Sequence, residues 1–303
     1  MEEYPFINIV ILNYNRAQDT IECIQSIKDI DYPNFKIILI DNCSVDNSIN
    51  ILREQLKDVQ IIETGENLGY TGGVNFGLKI AEEENPDYIL LINNDTIVER
   101  TFLTELVSSM ENHRKAAVAC GTILCEHDRK KIWYAGGKIV KWRGLAVHNN
   151  KNSLFNPENS KNPVYTTFVT GCMMLIRTEY LMEIGPEDER FFMYLDDIEL
   201  SSRIQKKGYE LLYVPNSIIY HKVFEKAKSP FMLYYSVRNR LLLISLTLSW
   251  GMRLIAKIYF MSVITFKMII WRITNPEFYQ ASKYGLEDYF NRNFYKGRGF
   301  KFL

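Results

Sequence analysis

Residues 6–12, FINIVIL, form a short apolar run rich in β-branched side chains, and the polar residues 13–16, NYNR, follow it directly. The length and composition of this run predict a buried β-strand. Runs of the same kind recur at 36–40, KIILI, and at 88–92, YILLI. Because segments with helical spacing of apolar residues separate these runs, the sequence predicts an α/β fold with a mostly parallel central sheet flanked by helices.

Polar clusters follow the predicted strands where they end. NYNR at 13–16 follows the first strand, Asp41 follows the second, and Asn93-Asn94-Asp95 follows the run at 88–92. A glycine-rich turn at 66–73, ENLGYTGG, precedes a helix expected from about 74 to 83. Ligands of open α/β sheets bind outside the carboxyl ends of the strands. We therefore expect these clusters to meet at one binding edge.

The second half of the chain is less regular. Strands are expected at 116–123, 165–170, 173–177 and 210–215, and a polar surface loop at 144–162. A helix is expected to begin around Asp196 and to end at Gly208. His221 would then lie in the loop after the last strand.

The composition is that of a globular protein. Of 303 residues, 47% are hydrophobic and 24% are charged, which excludes a disordered or fibrous chain. The formal net charge of zero conceals an asymmetry: residues 222–303 hold 14 of the 36 basic residues but only 4 of the 36 acidic ones. An acidic body with a basic C-terminal part indicates an anionic partner surface, either membrane lipid or nucleic acid.

The cysteines and the N-terminus indicate the compartment. The five cysteines form no CxxC pair, and Cys23, Cys120 and Cys172 lie in apolar or small-residue runs. Buried free thiols, a reducing cytosol and the absence of a cysteine zinc site are therefore expected. The acidic N-terminus lacks the basic region of a secretory signal peptide, so no such peptide is expected.

The segment 241–271 is predominantly apolar, but charges interrupt it before about 20 uncharged residues accumulate. On a helix, Arg253, Lys257 and Lys267 would fall within about 80° of one another. A basic stripe on an apolar helix predicts a helix that lies in a membrane interface. A helical hairpin packed on the body and a transmembrane hairpin are the alternatives.

Three groups of residues could bind a nucleotide or catalyse a reaction. Tyr14 can stack on a base and Arg16 can bind phosphate, while Asp41 can accept a hydrogen bond from a base or a ribose, or can simply form a turn. The glycines at 66–73 do not follow the GxGxxG dinucleotide pattern, which argues against an oxidoreductase.

Carboxylates dominate the other two groups. Asn93-Asn94-Asp95 offers the oxygen ligands that Mg²⁺ or Mn²⁺ prefers, although Asp95 could instead cap a helix. Asp196 and Asp197, with Glu199 close by, would raise one another's pKa and so favour proton transfer, unless they only mark an acidic helix start. His221 is a further candidate ligand.

Taken in order, these motifs resemble family 2 glycosyltransferases, which are inverting enzymes with the GT-A nucleotide-diphospho-sugar transferase fold. The resemblance covers about residues 6–240 and favours the rhamnosyltransferase-like branch. It rests on these stretches: VILNYNR, LIDNCSVDNS, ENLGYTGGVNFG, LLINNDT, TGCMMLIR, FFMYLDDIELSSRIQKKGY, YHK and YYSVRNR.

The resemblance implies a role for each matching residue. The implied nucleotide-binding residues are Asn13, Tyr14, Arg16, Asp41, Asn67, Gly69, Gly72 and Asn94. Asp95 would hold Mg²⁺ or Mn²⁺, with His221 as a further metal or phosphate contact. This motif has amides where other members have acids, so one carboxylate would bind the metal.

The resemblance also implies the catalytic groups and the acceptor side. Asp197 would be the general base of a single displacement at the anomeric carbon, and Asp196 stands where the family has a glutamate. The acceptor region would include Trp133, Tyr134 and Gly171. A nucleotidyltransferase of sugar phosphates and a non-catalytic nucleotide-sugar-binding protein are the alternatives.

The expected organisation is a catalytic domain at 1–240 and a basic, apolar helical segment at 241–303. The expected partners are a nucleotide-diphosphate sugar, a glycan or lipid-linked acceptor of cell-surface polysaccharide or glycolipid assembly, and an anionic membrane surface. Nucleic acid is not expected, because the C-terminal part is too apolar for a phosphate-binding surface. The expected location is cytoplasmic, on the inner face of the cell membrane.

Overall fold

The computed structural model describes residues 4–159, 161–222 and 229–302. The first strands are β1 (Ile7–Asn13), β2 (Phe35–Asp41), β3 (Gln60–Glu63), β4 (Tyr88–Asn93), β5 (Thr96–Val98) and β6 (Ala116–Cys125). The helices among them are α1 (Ala17–Lys28), α2 (Ser48–Gln55), α3 (Gly69–Glu82) and α4 (Phe102–Asn112). This alternation of strands and helices agrees with the predicted α/β class.

The second half continues the sheet and adds a helical layer. Its strands are β7 (Asp128–Tyr134), β8 (Gly137–Val140), β9 (Leu145–His148), β10 (Val164–Thr166), β11 (Met173–Arg177) and β12 (Glu210–His221). Its helices are α5 (Thr178–Ile184), α6 (Asp196–Lys206), α7 (Pro230–Thr247), α8 (Trp250–Thr274) and α9 (Pro276–Phe290).

Ten of these strands form one sheet in the order β10-β12-β6-β11-β4-β1-β2-β3, with β5 beside β12 and β7 beside β6. The strands β3, β2, β1 and β4 are mutually parallel, as predicted. β11 is antiparallel to both of its neighbours, β4 and β6. It separates the four parallel strands β3, β2, β1 and β4 from the parallel pair β6 and β12. The parallel strands place their carboxyl ends at one edge of the sheet.

Helix α3 packs unusually close to this sheet, and its glycines explain why. A Cβ atom on Gly73 would lie 2.6 Å from Leu12 Cδ1, and one on Gly77 would lie 2.5 Å from Val10 Cγ1. The helix begins at Gly69 rather than at the predicted position near Val74. Much of the predicted glycine turn is therefore the first part of a helix.

Two strand predictions need correction. β12 continues to His221 past the predicted end at 215, because a register shift between Val214 and Ile218 absorbs Pro215 without ending the strand. His221 is thus the last residue of a strand. The strand predicted at 165–170 is shorter, at Val164–Thr166, and the predicted loop at 144–162 contains β9.

The predicted domain boundary between 240 and 241 falls inside α7. Residues on both sides of it are buried: Tyr234 and Tyr235 precede it, and Leu242 and Leu243 follow it into the main core. The structure therefore does not divide the chain at this position.

Helix α8 has an apolar outer face. Its exposed apolar residues are Trp250, Leu254, Ile255, Ile258, Phe266, Ile269, Ile270 and Ile273. In the described part of the chain it is the one helix long and apolar enough to cross a membrane, with a mean hydropathy of 1.7 and 17% of that stretch buried.

The predicted basic stripe does not form the outer face of α8. Lys257 donates a hydrogen bond to the Tyr289 hydroxyl at 2.9 Å, and Arg253 donates one to the Leu248 carbonyl at 3.2 Å. These two side chains share the side of the helix that buries Ala256 and Phe260. The sequence prediction treated the helix as isolated, and packing turned two members of the stripe inward.

Candidate active site

A cleft of about 270 Å³ opens at the carboxyl ends of β1, β2 and β4. Five predicted site residues line it, namely Tyr14, Asn67, Gly69, Asn94 and Asp95. The other lining residues are Leu12, Asn42, Tyr70, Asn93, Phe192, Met193 and Phe231. The cleft therefore combines an amide-rich floor with an aromatic and apolar wall, and that wall was not predicted.

Asp41 and Asn13 lie behind the cleft and do not line it. Asp41 is 1% exposed, and its carboxylate accepts hydrogen bonds from Asn13 Nδ2 at 2.7 Å and from the Ser44 hydroxyl and backbone N–H at 2.6 and 2.9 Å. Asn13 is fully buried and also accepts a hydrogen bond from Thr20 at 2.8 Å. In this structure the two side chains connect the loops after β1 and β2, and their direct contact with a nucleotide stays a prediction.

Asn42 joins the loop after β2 to the start of α3. Its side chain donates a hydrogen bond to the Gly69 carbonyl at 2.9 Å and accepts one from the Leu68 N–H at 3.0 Å. Asn67 accepts a hydrogen bond from the Gly69 N–H at 2.9 Å. The sequence offered one signal for Asn42, its place directly after Asp41 at the end of a strand.

Two other predicted nucleotide contacts lie outside the cleft walls. A Cβ atom on Gly72 would meet Leu68 Cβ at 2.8 Å, and Gly72 lines a separate pocket on the other side of α3. The reason is that α3 begins earlier than predicted and rotates Gly72 away. Arg16 is exposed and pairs with Asp19 at 3.1 Å.

The two predicted metal ligands lie next to each other. His221 Nε2 is 3.1 Å from Asp95 Oδ1, at the end of β12 and beside the cleft. Burial raises the pKa of Asp95, but the hydrogen bond and charge of His221 and the charge of Arg16 outweigh burial and leave this pKa below its usual value. A carboxylate held ionised beside an imidazole fits Mg²⁺ or Mn²⁺.

Asp95 and His221 provide two metal ligands. Within residues 4–159, 161–222 and 229–302, no group of three His, Cys, Asp or Glu residues could hold a metal ion. A cation bound here would need its remaining ligands from water or from a diphosphate. Asn94, beside Asp95, instead donates a hydrogen bond to the Thr20 hydroxyl at 2.8 Å.

Asp196 and Asp197 open helix α6 but differ in environment. Asp196 is buried, and burial followed by the charge of Asp197 raises its pKa to about 8. Asp197, by contrast, is half-buried. Burial raises its pKa to about 6, and hydrogen bonds from the Gly171 and Ile198 N–H groups limit that rise.

The carboxylate of Asp197 is linked to the cleft wall through one peptide. The Gly171 N–H donates a hydrogen bond to Asp197 Oδ2 at 3.2 Å, and the Gly171 carbonyl accepts one from the Tyr70 hydroxyl at 2.8 Å. Since Tyr70 lines the cleft, this contact places Asp197 at its margin.

Glu187 is a further acid beside Asp196 and Asp197, and the sequence analysis missed it. It is 3% exposed, and neither of its carboxylate oxygens has a hydrogen-bond partner in the structure. Burial, and then the charges of Asp196 and Asp197, raise its pKa well above the usual value. Like charges therefore oppose simultaneous ionisation of all three acids, which keeps a proton within this group.

The three predicted acceptor residues have different positions. Gly171 is beside Asp197, as described. The Trp133 ring lies edge-on to His221 at 4.7 Å and to His148 at 4.8 Å, so it borders the metal-ligand pair. Tyr134 is fully buried and its hydroxyl donates to the Phe168 carbonyl at 2.7 Å, so it cannot contact an acceptor in this structure.

The fold is the GT-A type that solved glycosyltransferase structures have. The solved structure of GalNAc-T7 with UDP, GalNAc and Mn²⁺ matches 78% of this chain with a TM-score of 0.62 and 19% identity. This chain spans 48% of that longer chain.

The sequence identifies the family. The chain belongs to glycosyl transferase family 2, whose model matches residues 8–185, more than half of the chain. It is similar to an N-acetylglucosaminyl-diphospho-decaprenol L-rhamnosyltransferase of Mycobacterium tuberculosis, with 23% identity over 64% of this chain and 69% of the relative. It is also similar to the dTDP-rhamnosyl transferase RfbF of Shigella flexneri, with 22% identity over 78% of this chain and 79% of the relative.

Proposed function

We propose that this glycosyltransferase moves a sugar, a rhamnosyl or similar residue, from a nucleotide-diphosphate donor to an acceptor hydroxyl with inversion, in the assembly of a cell-surface polysaccharide or glycolipid. The observation that supports it most is Asp197, held by the Gly171 N–H at 3.2 Å beside the cleft that contains Asp95. Two rhamnosyltransferases among the relatives support the choice of sugar.

The amide-rich floor of the cleft would bind the nucleotide. Tyr14 offers an aromatic face for the base, and Asn67 and Gly69 present the start of α3. Gly69 has a φ of +76°, and a Cβ atom there would lie 2.5 Å from the Phe192 carbonyl oxygen. The bare backbone at this point lets Phe192 pack directly against the start of α3, so that the floor of the cleft and its aromatic wall are joined.

Asp95 and His221 would hold Mg²⁺ or Mn²⁺ against the diphosphate. When bound, the cation stabilises negative charge on the departing nucleoside diphosphate. The chain's own part is to keep the Asp95 carboxylate ionised, which the neighbouring His221 favours. The Trp133 ring packs edge-on against the His221 ring at 4.7 Å and so helps to hold this metal ligand in place.

Asp197 would act as the general base. It accepts the proton of the acceptor hydroxyl while that oxygen forms a bond to the anomeric carbon, and the bond from this carbon to the phosphate oxygen breaks. The nucleoside diphosphate leaves with the electron pair on the opposite face. General-base catalysis of this kind contributes about 10²–10⁴-fold to the rate.

The enzyme is proposed to work on the cytoplasmic face of the membrane, where the apolar outer face of α8 would enter the lipid interface. The exposed face from Trp250 to Ile273 contains eight large apolar side chains. Because Lys257 and Arg253 are turned toward the protein, apolar burial rather than charge would supply most of the attachment. A lipid-linked acceptor would then reach the cleft from the same surface.

The test is turnover of a nucleotide-sugar panel containing dTDP-rhamnose, UDP-GlcNAc and GDP-mannose. We expect Mn²⁺-dependent turnover of one of them by the parental protein. Asp197→Asn should reduce kcat by at least about 10²-fold and leave the affinity for the nucleoside diphosphate within about twofold. The control is Asp58→Asn, an exposed carboxylate paired with Lys28 far from the cleft. Near-parental turnover by Asp197→Asn would show that another group is the base.

A further inference from the structure

The loop that leads to the two aspartates has an unfavourable backbone. Phe192, Tyr194 and Leu195 have φ values of +65°, +66° and +68°, although none of them is glycine. Such conformations are unfavourable for L-residues. Leu195 directly precedes α6, so the direction of this loop determines where Asp196 and Asp197 point. Contacts from elsewhere in the molecule must stabilise it.

Asn239 of α7 supplies one set of these contacts. Its side-chain nitrogen lies 2.8 Å from the Phe191 carbonyl, 2.8 Å from the Met193 carbonyl and 3.1 Å from the Tyr194 carbonyl. Asn239 is fully buried, so water does not compete for these bonds. One amide therefore binds three carbonyls of the strained loop.

Arg238 supplies the second set and is also fully buried. Its guanidinium donates hydrogen bonds to the Phe191 carbonyl at 2.9 Å and to the Arg190 carbonyl at 3.1 Å. Its Nε donates to Asn239 Oδ1 at 2.9 Å, which fixes the orientation of that amide. A neutral or shorter side chain could not reach these acceptors together.

A ring of α7 itself and the segment after α9 complete the support around Arg238. The guanidinium lies 4.9 Å from the centre of the Tyr235 ring and donates a hydrogen bond to the Tyr295 carbonyl at 2.7 Å. The Tyr295 N–H in turn donates to the Arg190 carbonyl at 3.1 Å. Phe192, from the cleft wall, stacks on the Tyr235 ring at 5.4 Å.

We propose that Arg238 and Asn239 are positioning residues for the transfer reaction: they hold the loop 190–195 in its left-handed conformation and so aim Asp197 at the acceptor hydroxyl. The inference rests on the proposed function, because it takes Asp197 as the base. It assigns the C-terminal part of the chain a role in the chemistry in addition to a role at the membrane.

The experiment compares Asn239→Ala with the parental enzyme on the panel sugar that the parental enzyme turns over. We expect kcat to fall by about 10²-fold, because small displacements of a catalytic group have effects of this size. The donor KM and the affinity for the nucleoside diphosphate with Mn²⁺ should stay within about threefold. Hydrogen exchange of the segment 189–197 should become faster.

Ser245→Ala is the matched control. Ser245 is on the same helix and contacts the Tyr289 hydroxyl at 2.7 Å, away from the loop 190–195. It should keep parental kcat and parental exchange in 189–197. If Asn239→Ala does not fold, Arg238→Lys replaces it, since lysine keeps the charge but has one nitrogen for the carbonyls.

A folded Asn239→Ala or Arg238→Lys with kcat within threefold of parental would overturn the proposal, as would an equal loss in Ser245→Ala. Asp197→Asn is measured in parallel to separate the two claims. If Asp197→Asn is inactive and the Asn239 variant is active, the positioning role alone fails. If Asp197→Asn is active, the assignment of Asp197 as the base fails, and the positioning role fails with it.

Discussion

Two adjacent carboxylates in one helix turn differ in how readily they release a proton. Asp196 is more deeply buried and has a pKa of about 8, whereas Asp197 has one of about 6. The Gly171 N–H, which bonds Asp197 Oδ2, stabilises its ionised form. At neutral pH Asp197 is therefore the member of the pair that is ready to accept a proton.

This difference predicts the pH dependence of the reaction. A base must be deprotonated to act, so kcat should rise about tenfold per pH unit below pH 6 and level off above it, because the pKa of Asp197 is about 6. The measurement is kcat at saturating donor and acceptor from pH 4.5 to 8. A midpoint near pH 4 would mean that Asp197 is solvated when substrate is bound, contrary to this structure.

Loss of the Asp95 side chain should have a different signature. Asp95→Ala removes the carboxylate that lies 3.1 Å from His221 Nε2, so nucleoside diphosphate affinity should become insensitive to Mn²⁺ and fall by at least about tenfold in its presence. Calorimetric titration with and without Mn²⁺ measures this. His113→Ala, at the histidine that caps the C-terminal end of α4, serves as the control. Unchanged Mn²⁺-dependent affinity in Asp95→Ala would refute the metal assignment.

At the scale of elements, the start of α3 is where backbone geometry limits the sequence most. Gly69 and Gly65 both have positive φ, +76° and +82°, but their surroundings differ. A Cβ atom on Gly69 would lie 2.5 Å from the Phe192 carbonyl oxygen, whereas nothing lies within 4 Å of one on Gly65. Comparing Gly65 with Gly69 therefore separates the cost of a left-handed backbone from the cost of a steric clash.

Alanine at each glycine should therefore have unequal effects. Gly65→Ala should lower the free energy of unfolding by about 1 kcal/mol, the cost of a left-handed alanine. Gly69→Ala should lower it by about 2–4 kcal/mol, because overpacking adds to that cost, and it should also weaken nucleotide binding. Denaturant titration and nucleotide affinity measure both effects. Equal losses in the two variants would mean that the contact with Phe192 relaxes freely.

The elements that could be predicted from sequence are those whose signals are local. The strands around Ile9, Ile38 and Leu90 are continuous apolar runs, and the polar residues after them mark the ligand edge. By contrast, a charged residue such as Arg238 would be expected at the surface from its residue type alone. Its burial depends on carbonyls 47 and 48 residues earlier in the chain, which no local pattern reveals.

For the candidate site, the sequence predicted residue types better than positions. Asp95 lines the cleft and Asp197 is linked to its wall through Gly171, whereas Asp41 and Tyr134 are buried and do not line it; the roles of all four residues stay predictions. The aromatic wall at Phe192 was missed because its orientation follows from a left-handed backbone that only tertiary contacts stabilise.

At the scale of the whole molecule, the outer face of α8 is the proposed contact with lipid. Ile258→Glu combined with Ile269→Glu places two charges on this face, where both residues are exposed. We expect co-sedimentation with anionic vesicles to fall by at least about tenfold, while parental binding persists partly in 0.5 M salt because it is mainly apolar. Activity on a soluble acceptor should remain.

The control places one negative charge elsewhere on the surface. Gln60 is exposed on β3, far from α8. The Gln60→Glu variant should therefore bind vesicles as the parental protein does. Parental binding by the double α8 variant, or complete release of the parental protein by salt, would contradict attachment through this face.

The edge-on packing of Trp133 against His221 also gives the protein an intrinsic optical probe. The indole is 4.7 Å from the imidazole, so a cation bound by His221 would change the surroundings of this indole. Of the four tryptophans in the chain, this one is in contact with the proposed metal ligands. Cation loading should therefore be readable from emission intensity in unlabelled protein, before any sugar or acceptor is known.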